Sequence, residues 1–425
     1  MSDFSPPSNS PVSSTPSRLP SPSSRRRFLG AVSAAVAGTL GGCSAVYPAA
    51  TPTVSSDDWP LVGYDPAGSG YKPDGLSLRS KPDVRWKRTP RTVFGTPSSP
   101  LVYDGTVYTA TGDLLAVDVA DGTTRTLLSE FHGQFPAIAA DTAYRNETVI
   151  STDGRRVSAV NPSPDLRGEL RYRWRMPAPE SSFASSFFPS NDGSPPVVAD
   201  GLVFVPAHLD ERSLLALDAS SGAERWRYRT DGMASRASVH DGTVYVATWL
   251  NEFAALDAET GAVRWRRQPF KQVLTWGYVT AADHGVYGVR DDYAIAFEAE
   301  SGDRRWFRHL DGDSEYAEIQ GSLTVTDDAV FVQVEREKGM VLLALDPQSG
   351  RTRWSARVGG HETTPVVAGE TVYAPDQSGL VALDAKTGRR LWTFPTKGDP
   401  SSPAVGGGAL LFTDGFALYA LEASR

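Results

Sequence analysis

Apolar and polar residues alternate in short runs along most of the chain, and this is the pattern of half-buried β-strands. Residues 238–247, Ser-Val-His-Asp-Gly-Thr-Val-Tyr-Val-Ala, are a typical unit in which two such runs flank an Asp-Gly turn. A second pair of runs follows at residues 255–265, Ala-Leu-Asp-Ala-Glu-Thr-Gly-Ala-Val-Arg-Trp, around a Thr-Gly turn. No long helical period appears beyond residue 43. The pattern therefore predicts units of four antiparallel strands.

The second half of this unit recurs with strict spacing. The copies at residues 216–226, 255–265, 296–306, 344–354 and 382–392 each carry an acid at the third position, glycine at the seventh and tryptophan at the eleventh. The acid can accept hydrogen bonds from the turn backbone, and glycine can adopt the positive φ that such turns require. A four-stranded unit cannot bury both faces alone, so it must stack on its neighbours, usually by radial closure.

The closing residues of the units predict the number of blades. They are Trp86, Thr126 as a degenerate copy, Trp174, Trp226, Trp265, Trp306, Trp354 and Trp392, which gives eight. A ring of seven blades stays open as an alternative, since residues 161–165 lengthen one turn. Trp86 closes a strand without its three predecessors, whereas residues 404–421 supply three strands without a fourth. We therefore predict an all-β, eight-bladed β-propeller of four-stranded antiparallel blades, closed by the N-terminal strand joining the C-terminal blade.

The repeated Ala-x-Asp-x-x-Thr-Gly-x-x-x-Trp element resembles the tryptophan docking motif of pyrroloquinoline quinone (PQQ) type β-propellers. That family includes quinoprotein alcohol dehydrogenases and non-enzymatic propellers, such as the outer-membrane assembly lipoprotein of Gram-negative bacteria, and the chain is expected in the non-enzymatic lipoprotein branch. The resemblance implies a fold rather than an activity. It also implies that the repeat tryptophans pack between blades. Residues 59–71 resemble the leading segment of these propellers and are expected to pack against a blade.

The N-terminal region predicts export and a lipid anchor. Residues 1–23 are rich in serine and proline, and residues 24–29, Ser-Arg-Arg-Arg-Phe-Leu, match the twin-arginine export pattern. A weakly apolar stretch then leads to Leu-Gly-Gly-Cys43, which resembles a lipobox with Cys43 as the lipidated residue. We therefore divide the chain into a leader (1–42), a lipidated stalk (43–57) and the propeller (58–425). The expected location is the outer face of the cytoplasmic membrane.

Charge and composition limit the classes of partner and indicate how the domain is stabilised. The formal net charge of -8 becomes about -11 without the first 42 residues, which disfavours nucleic acid. Of the 42 basic residues 35 are arginine, and this bias with excess acid resembles the proteins of salt-adapted, haloarchaeal-like organisms. Cys43 is the only cysteine, so core burial must stabilise the mature domain without disulfides. We expect a monomer.

Candidate binding residues lie at one end of the predicted ring. The Asp-Gly and Thr-Gly turns fall at the other end, where they look purely structural. The variable segments carry charged and aromatic side chains that would converge on the mouth of a central funnel, as a ligand or peptide site requires. Solvated rim residues are the plainer interpretation of each. The candidates are Arg236, Trp249, Trp276, Tyr278, Glu318, Gln320, His361, Glu362 and Asp399.

The sequence favours binding over catalysis. Resemblance to quinoprotein dehydrogenases would imply a vicinal cysteine pair, an aspartate base and acidic or amide ligands for calcium, and the cysteine pair is absent. The six histidines show no metal-ligand spacing. The leading hypothesis is a membrane-anchored extracytoplasmic scaffold that binds a protein or small ligand at its rim, with no catalytic residues, metal or cofactor. Alternatives are a dehydrogenase that uses PQQ with calcium, and a carbohydrate-active or sensor module built on Trp249 and Trp276.

Overall fold

The computed structural model describes most of the region after residue 53. The described residues are 54–89, 98–110, 112–129, 131, 135–152, 157–176, 195–207, 212–270, 277–310, 321–336, 339–359 and 363–424. Within these ranges, no helix has the length and apolar character needed to cross a membrane. The only helical element there is a single 3-10 turn at Gly168–Arg171.

In the described part of the chain, thirty-three strands form eight sheets of mostly four antiparallel strands. The first two strands are β1 (Tyr71–Lys72) and β2 (Asp83–Arg88). Blades 1 and 2 contain β3 (Leu101–Tyr103), β4 (Thr106–Ala110), β5 (Leu114–Asp118), β6 (Thr124–Leu128), β7 (Phe135–Ala139), β8 (Thr148–Thr152), β9 (Val157–Val160) and β10 (Tyr172–Arg175). Blades 3 and 4 contain β11 (Val197–Ala199), β12 (Leu202–Ala207), β13 (Ser213–Asp218), β14 (Glu224–Arg229), β15 (Ser238–His240), β16 (Thr243–Ala247), β17 (Phe253–Asp257) and β18 (Val263–Arg267).

The remaining blades continue the same order. Blades 5 and 6 contain β19 (Gly277–Ala282), β20 (Gly285–Arg290), β21 (Tyr293–Phe297), β22 (Arg304–His309), β23 (Thr324–Val325), β24 (Val330–Arg336), β25 (Gly339–Leu345) and β26 (Thr352–Arg357). Blade 7 contains β27 (Val366–Ala368), β28 (Thr371–Asp376), β29 (Gly379–Asp384) and β30 (Arg390–Pro395), and blade 8 contains β31 (Ala404–Gly406), β32 (Ala409–Thr413) and β33 (Leu418–Glu422). In blades 1 to 6 the four strands pair in chain order, and the first strands of neighbouring blades contact one another, so the first strand lies innermost.

The ring closes through blade 8. Strand β2 pairs antiparallel with β33 and supplies the fourth strand, with Trp86 opposite Ala420. This confirms the predicted eight-bladed propeller and the joining of the N-terminal strand to the C-terminal blade. Strand β1 adds to blade 7 in parallel with β27, as a fifth, innermost strand that the sequence did not predict.

Tryptophans connect each blade to the next. The indole Nε1 of each donates a hydrogen bond to a backbone carbonyl of the following blade, and in six of the seven cases this carbonyl belongs to the residue after the turn acid. The pairs are Trp86 to Val119, Trp174 to Ala219, Trp226 to Ala258, Trp265 to Ala299, Trp306 to Pro347, Trp354 to Ala385 and Trp392 to Leu78. In the last pair Leu78, just before β2, replaces the turn that blade 8 lacks.

The glycine of each turn receives the neighbouring tryptophan. Gly302 has a φ of +69°, and a Cβ there would lie 2.5 Å from the Trp265 ring. A side chain is therefore excluded twice, by backbone conformation and by the packed indole. Gly222 and Gly388 show the same two constraints, with rings of Trp174 and Trp354 at 2.5 Å.

The acid of each turn organises its backbone and pairs with arginine. Asp257 accepts a hydrogen bond from the Thr260 amide at 2.9 Å, and Arg264 donates to its other oxygen at 2.9 Å. The hydrogen bond from Arg264 is the main reason that the pKa of Asp257 falls from 3.8 to about 2. Arginine hydrogen bonds also lower the pKa values of the equivalent acids to about 2; these are Asp218, Asp346 and Asp384.

These turn carboxylates predict a loss of stability in acid. Because their pKa values are lower in the folded state, their contribution is fully present above about pH 4 and disappears as pH falls toward 2. Urea unfolding at pH 5, 4, 3 and 2 should show a falling midpoint. The variant Asp257→Asn keeps an acceptor for the turn but cannot ionise, so the pH dependence should be shallower than in wild type. An unchanged slope would contradict this assignment.

The junction between blades 1 and 2 departs from the rule. The sequence predicted Thr126 at the tryptophan position, but the register places Arg125 opposite Ala116, where the other blades have tryptophan opposite alanine. The facing turn carries Asn161 and Pro162 instead of an acid and alanine. Arg125 Nη1 donates to the Pro162 carbonyl at 2.6 Å, so a guanidinium makes the bond that an indole makes elsewhere. The junction keeps its hydrogen bond and loses the stacked ring.

Candidate functional site at the loop end of the ring

The two ends of the ring differ in how their side chains are used. We call the end with the first-to-second and third-to-fourth strand turns the turn end. The opposite end carries the second-to-third strand connections and the crossings between blades, and we call it the loop end. At the turn end the acids, glycines and tryptophans hold blades together. The four predicted binding residues that the structure describes, Arg236, Trp249, Tyr278 and Asp399, belong to segments of the loop end.

Residues 57–72, named the channel segment, follow the innermost strands around the channel. Their backbone hydrogen-bonds to six blades near the turn end of each first strand. The bonds run from Val102 N to Trp59 O, Trp59 N to Val102 O, Ile138 N to Pro60 O, Val239 N to Pro66 O, Val325 N to Ser69 O, Val367 N to Gly70 O, Gly369 N to Lys72 O and Gly407 N to Asp57 O, at 2.8–3.1 Å. The sequence predicted that residues 59–71 pack against one blade, whereas the channel segment contacts six of the eight blades.

Buried polar groups hold the channel segment. Lys72 is 3% exposed, and its Nζ donates to Asp58 O at 3.0 Å and to Val405 O at 2.9 Å. Burial lowers the pKa of this ammonium. Asp65 accepts from Ser69 N at 2.9 Å and from Ser69 Oγ at 2.5 Å, while burial raises the pKa of Asp65. These bonds fix a tight loop in the middle of the segment.

Arg236 lies against the channel segment. Its Nη2 donates to Asp65 O and its Nη1 to Ala237 O, both at 3.2 Å. A Cβ on Gly68 would lie 2.0 Å from Nη1, so glycine is needed for this contact. Burial lowers the pKa of Arg236 to about 10, with Asp65 opposing that shift. The predicted rim cation therefore joins blade 4 to the channel segment.

Trp249 is held by the most extensive support of the candidate residues. It belongs to the connection 248–252 of blade 4, and its amide donates to Met233 O at 2.9 Å. Arg290 of blade 5, with 0% exposure, donates to Thr248 O at 3.0 Å and also to Trp249 O. Asn251 Oδ1 accepts from Phe270 N at 2.9 Å. The adjacent Leu250 remains 39% exposed at the tip.

A buried carboxylate lies beneath this connection. Glu252 is 1% exposed, accepts from Tyr228 Oη at 2.7 Å, and pairs with Arg266 Nε at 3.0 Å. Burial is the main reason for its raised pKa. Sequence reasoning missed this cluster because its members come from β14, β18 and a connection, with no shared local motif. Asp231 supports the same connection by accepting from Thr248 Oγ1 at 2.7 Å.

The other candidates divide into three groups. Tyr278 is the second residue of β19, and its neighbour Gly277 lies beside blade 4, since a Cβ there would lie 3.6 Å from Thr248 O. Arg236, Trp249 and Tyr278 therefore belong to one sector of the ring, blades 4 and 5. Asp399 is exposed before blade 8, four blades away. The candidates Trp276, Glu318, Gln320, His361 and Glu362, together with Cys43, lie outside the described residues.

Two of the described loop-end acids already accept hydrogen bonds from protein groups. Asp414 accepts from the amides of Phe416 and Ala417 and from Tyr419 Oη, and Glu252 is already paired. Among the residues that the structure describes, no three His, Cys, Asp or Glu side chains come together as a metal site. A chain with one cysteine also cannot form a vicinal disulfide. What the arrangement offers chemically is a supported aromatic and apolar tip.

Structural comparison places the fold among known propellers. Quinohemoprotein alcohol dehydrogenase from Comamonas testosteroni has a TM-score of 0.66 at 14% identity, covering 89% of this chain and 82% of that chain. Quinohemoprotein alcohol dehydrogenase ADHIIG from Pseudomonas putida HK5 has a TM-score of 0.65 at 13% identity, covering 86% and 80%. BamB from Moraxella catarrhalis has a TM-score of 0.56 at 16% identity, covering 80% and 100%. At these identities the likeness concerns the fold alone.

Sequence comparison gives the family. No curated protein matches the chain. The sequence profile of the family described as outer membrane protein assembly factor BamB matches residues 124–237 and 230–424, which is more than half of the chain. The match includes blades 3 to 7 with their repeated turns and tryptophans. The chain therefore belongs to the family of outer membrane protein assembly factor BamB, among the PQQ-type β-propellers.

Proposed function

We propose that this protein is a membrane-anchored extracytoplasmic propeller that binds a protein segment or a small ligand at its loop end and does not catalyse a reaction. It is exported by the twin-arginine route and held at the outer face of the cytoplasmic membrane by a lipid on Cys43. The observation that carries the binding role is the supported tip of blade 4, where Trp249 and Leu250 are presented by Arg290, Asn251 and the neighbouring blade.

The support favours binding for a physical reason. A fully buried guanidinium that donates to the carbonyls of this connection is a costly way to hold a surface segment, since burying a charge loses its hydration. In return the connection is held in place before a partner arrives. Preorganised aromatic and apolar anchors are the residues that dominate binding energies, because little conformational entropy is lost on association.

Substitution at the tip tests this proposal. Trp249→Ala and Leu250→Ser should each weaken partner binding by about tenfold or more, as expected for central anchors. The matched control is Val263→Ser, because Val263 is also in blade 4 and is 51% exposed, but lies on the outermost strand β18. The measurement is the Kd for a partner isolated by crosslinking through the wild-type loop end. Equal losses for Val263→Ser, or none for the tip variants, would contradict a loop-end site.

The second candidate is a PQQ-dependent dehydrogenase, which the fold likeness to quinohemoprotein alcohol dehydrogenases favours. It predicts saturable binding of PQQ with calcium to the exported domain, followed by dye-linked oxidation of alcohols or sugars. We expect neither at low or high salt, because Asp414 and Glu252 are already engaged by protein donors and the chain has no vicinal cysteine pair. Turnover in this assay would replace the binding proposal with the enzymatic one.

A further inference from the structure

The chain joins the propeller at the turn end. Asp57 O accepts from Gly407 N at 3.1 Å in the first turn of blade 8, and Asp58 Oδ1 accepts from Asp104 N at 2.9 Å in the first turn of blade 1. Ser55 is tied in turn to Asp58. The point from which any N-terminal tether departs is therefore on the turn end, close to the channel.

The relaxed length of the tether between Cys43 and Val54 is short compared with the path from the turn end around a blade to the loop end. Its eleven peptide steps reach at most about 40 Å when fully stretched. A relaxed flexible chain of that length spans only about 20 Å. To bring the loop end onto the bilayer, the tether would have to cross four strands, about 15 Å, and then pass down a blade about 20 Å tall, before side chains and loops are added. Only a tether stretched to its limit achieves this.

We propose that the lipid on Cys43 keeps the turn end toward the bilayer, so that the loop end faces the aqueous side and receives a protein partner from there. This inference rests on the lipid anchor of the proposed function. It assigns a role to two exposed apolar tips at the loop end, Leu250 at 39% and Phe416 at 56% exposure. They contact a protein and do not insert into the anchoring membrane.

The position of the two tips identifies the kind of partner. Leu250 belongs to blade 4 and Phe416 to blade 8, which are on opposite sides of an eight-bladed ring. Both are positioned by the same device, because a glycine of the preceding crossing packs on each: a Cβ on Gly232 would lie 3.1 Å from Leu250 Cγ, and one on Gly398 would lie 3.0 Å from the Phe416 ring. An occupant that contacts both must span the funnel mouth, so it is a protein surface rather than a small ligand.

Charge keeps the turn end from adhering to lipid. The first turns of seven blades carry exposed acids, namely Asp104, Asp141, Asp200, Asp241, Asp283, Asp327, Asp328 and Glu370. Glu370 pairs with Arg79 and Asp283 with His240, and the other acids repel anionic headgroups over about a Debye length, roughly 8–10 Å at moderate salt. The domain therefore stands off the membrane on its tether, which leaves the loop end free of the bilayer.

Single-cysteine labelling measures the orientation directly. Lipidation blocks Cys43, the only native cysteine, so an added cysteine is labelled alone. The sites are Glu259→Cys at the turn end and Lys397→Cys at the loop end, both exposed. The lipidated full chain is reconstituted into phosphatidylcholine vesicles containing phosphatidylglycerol and a headgroup acceptor dye. Energy transfer from residue 259 should exceed that from residue 397 about twofold, since about 20 Å of blade separates them.

The outcomes separate the anchor from the orientation. If Cys43 remains reactive and the chain does not associate with vesicles, the anchor is wrong and the orientation falls with it. If the chain associates but residue 397 transfers as strongly as residue 259, only the orientation is overturned. A second arm uses the soluble Cys43→Ser chain, which should not float with vesicles. Flotation that disappears in Leu250→Ser plus Phe416→Ser would mean that the tips insert into lipid, which also overturns the proposal.

Discussion

A chain that begins at Pro73, without the channel segment, is expected to lose most of its cooperative stability, whereas a chain that begins at Val54 is expected to keep it. The reason lies in the innermost strands, whose channel-side amides are hydrogen-bonded by residues 57–72 in six blades. The truncation also deletes Trp59 and Leu61, which are 1% and 2% exposed in the ring, and so uncovers the core surfaces on which they pack. It also removes β1 from blade 7.

The expected loss in the free energy of unfolding follows from these contacts. Eight backbone hydrogen bonds contribute about 0.5–1.5 kcal/mol each, and burying Trp59 and Leu61 adds about 2–3 kcal/mol apiece. Even a partial loss is comparable to the whole stability of a domain, about 5–15 kcal/mol. Urea unfolding followed by tryptophan fluorescence and far-UV circular dichroism measures the difference between the two truncations. If the two truncated chains unfold at the same urea concentration, the ring is stable without the channel segment.

A point substitution can disturb the packing of the channel segment against Arg236 without removing the segment. Gly68→Ala leaves all the backbone donors in place, but residue 68 has a φ of +71° and a Cβ there would lie 2.0 Å from Arg236 Nη1. It should shift the urea midpoint in the same direction as the truncation by a smaller amount, about 1–3 kcal/mol. Gly105→Ala is the control, because φ is +69° but no atom lies near the added Cβ.

The fold could be predicted from the sequence because its information is local and repeated. An acid, a glycine and a tryptophan within eleven residues specify a turn, a close approach and a docking ring, so each copy confirms the next. The closure of blade 8 was also predictable, since Trp86 and residues 404–421 are complementary fragments of one unit. Even the absence of a tryptophan in blade 1 was visible in the sequence, although Arg125 rather than Thr126 lies opposite Ala116. The replacement of the indole by the bond from Arg125 to Pro162 O was not visible.

The channel segment and the candidate site were harder to predict for a different reason. The channel segment makes one or two backbone bonds to each of several blades, so its contacts impose no side-chain period on its sequence. The partners of Lys72, Asp58 O and Val405 O, are backbone groups that any residue provides. At the loop end, Glu252, Tyr228 and Arg266 meet from separate strands. Sequence analysis could name Arg236 and Trp249 as candidates, but not that one joins the channel segment and the other forms a supported tip.

Trp265→Ala should produce the second large effect, a loss of about 3–5 kcal/mol in the free energy of unfolding. Trp265 is 6% exposed, its Nε1 donates to Ala299 O at 2.8 Å, and its ring packs on Tyr245, Phe297 and Gly302. The substitution therefore leaves a cavity between blades 4 and 5 and an orphaned carbonyl. Trp265→Phe keeps one aromatic ring and removes the donor with part of the indole volume, so it should cost less than Trp265→Ala, about 1–2 kcal/mol.

An exposed residue on the same strand provides the control for Trp265→Ala. Val263 is 51% exposed two residues before Trp265 in β18, and Val263→Ala should change stability by less than about 0.5 kcal/mol. If docking by tryptophan stabilises the ring, Trp265→Ala must also weaken the presentation of the loop-end tip, because Arg290 of blade 5 holds Trp249 of blade 4 across that same junction. Partner binding should then fall in Trp265→Ala and persist in Val263→Ala. A destabilised variant that binds normally would instead mean that the blade 4 tip is preorganised within its own blade.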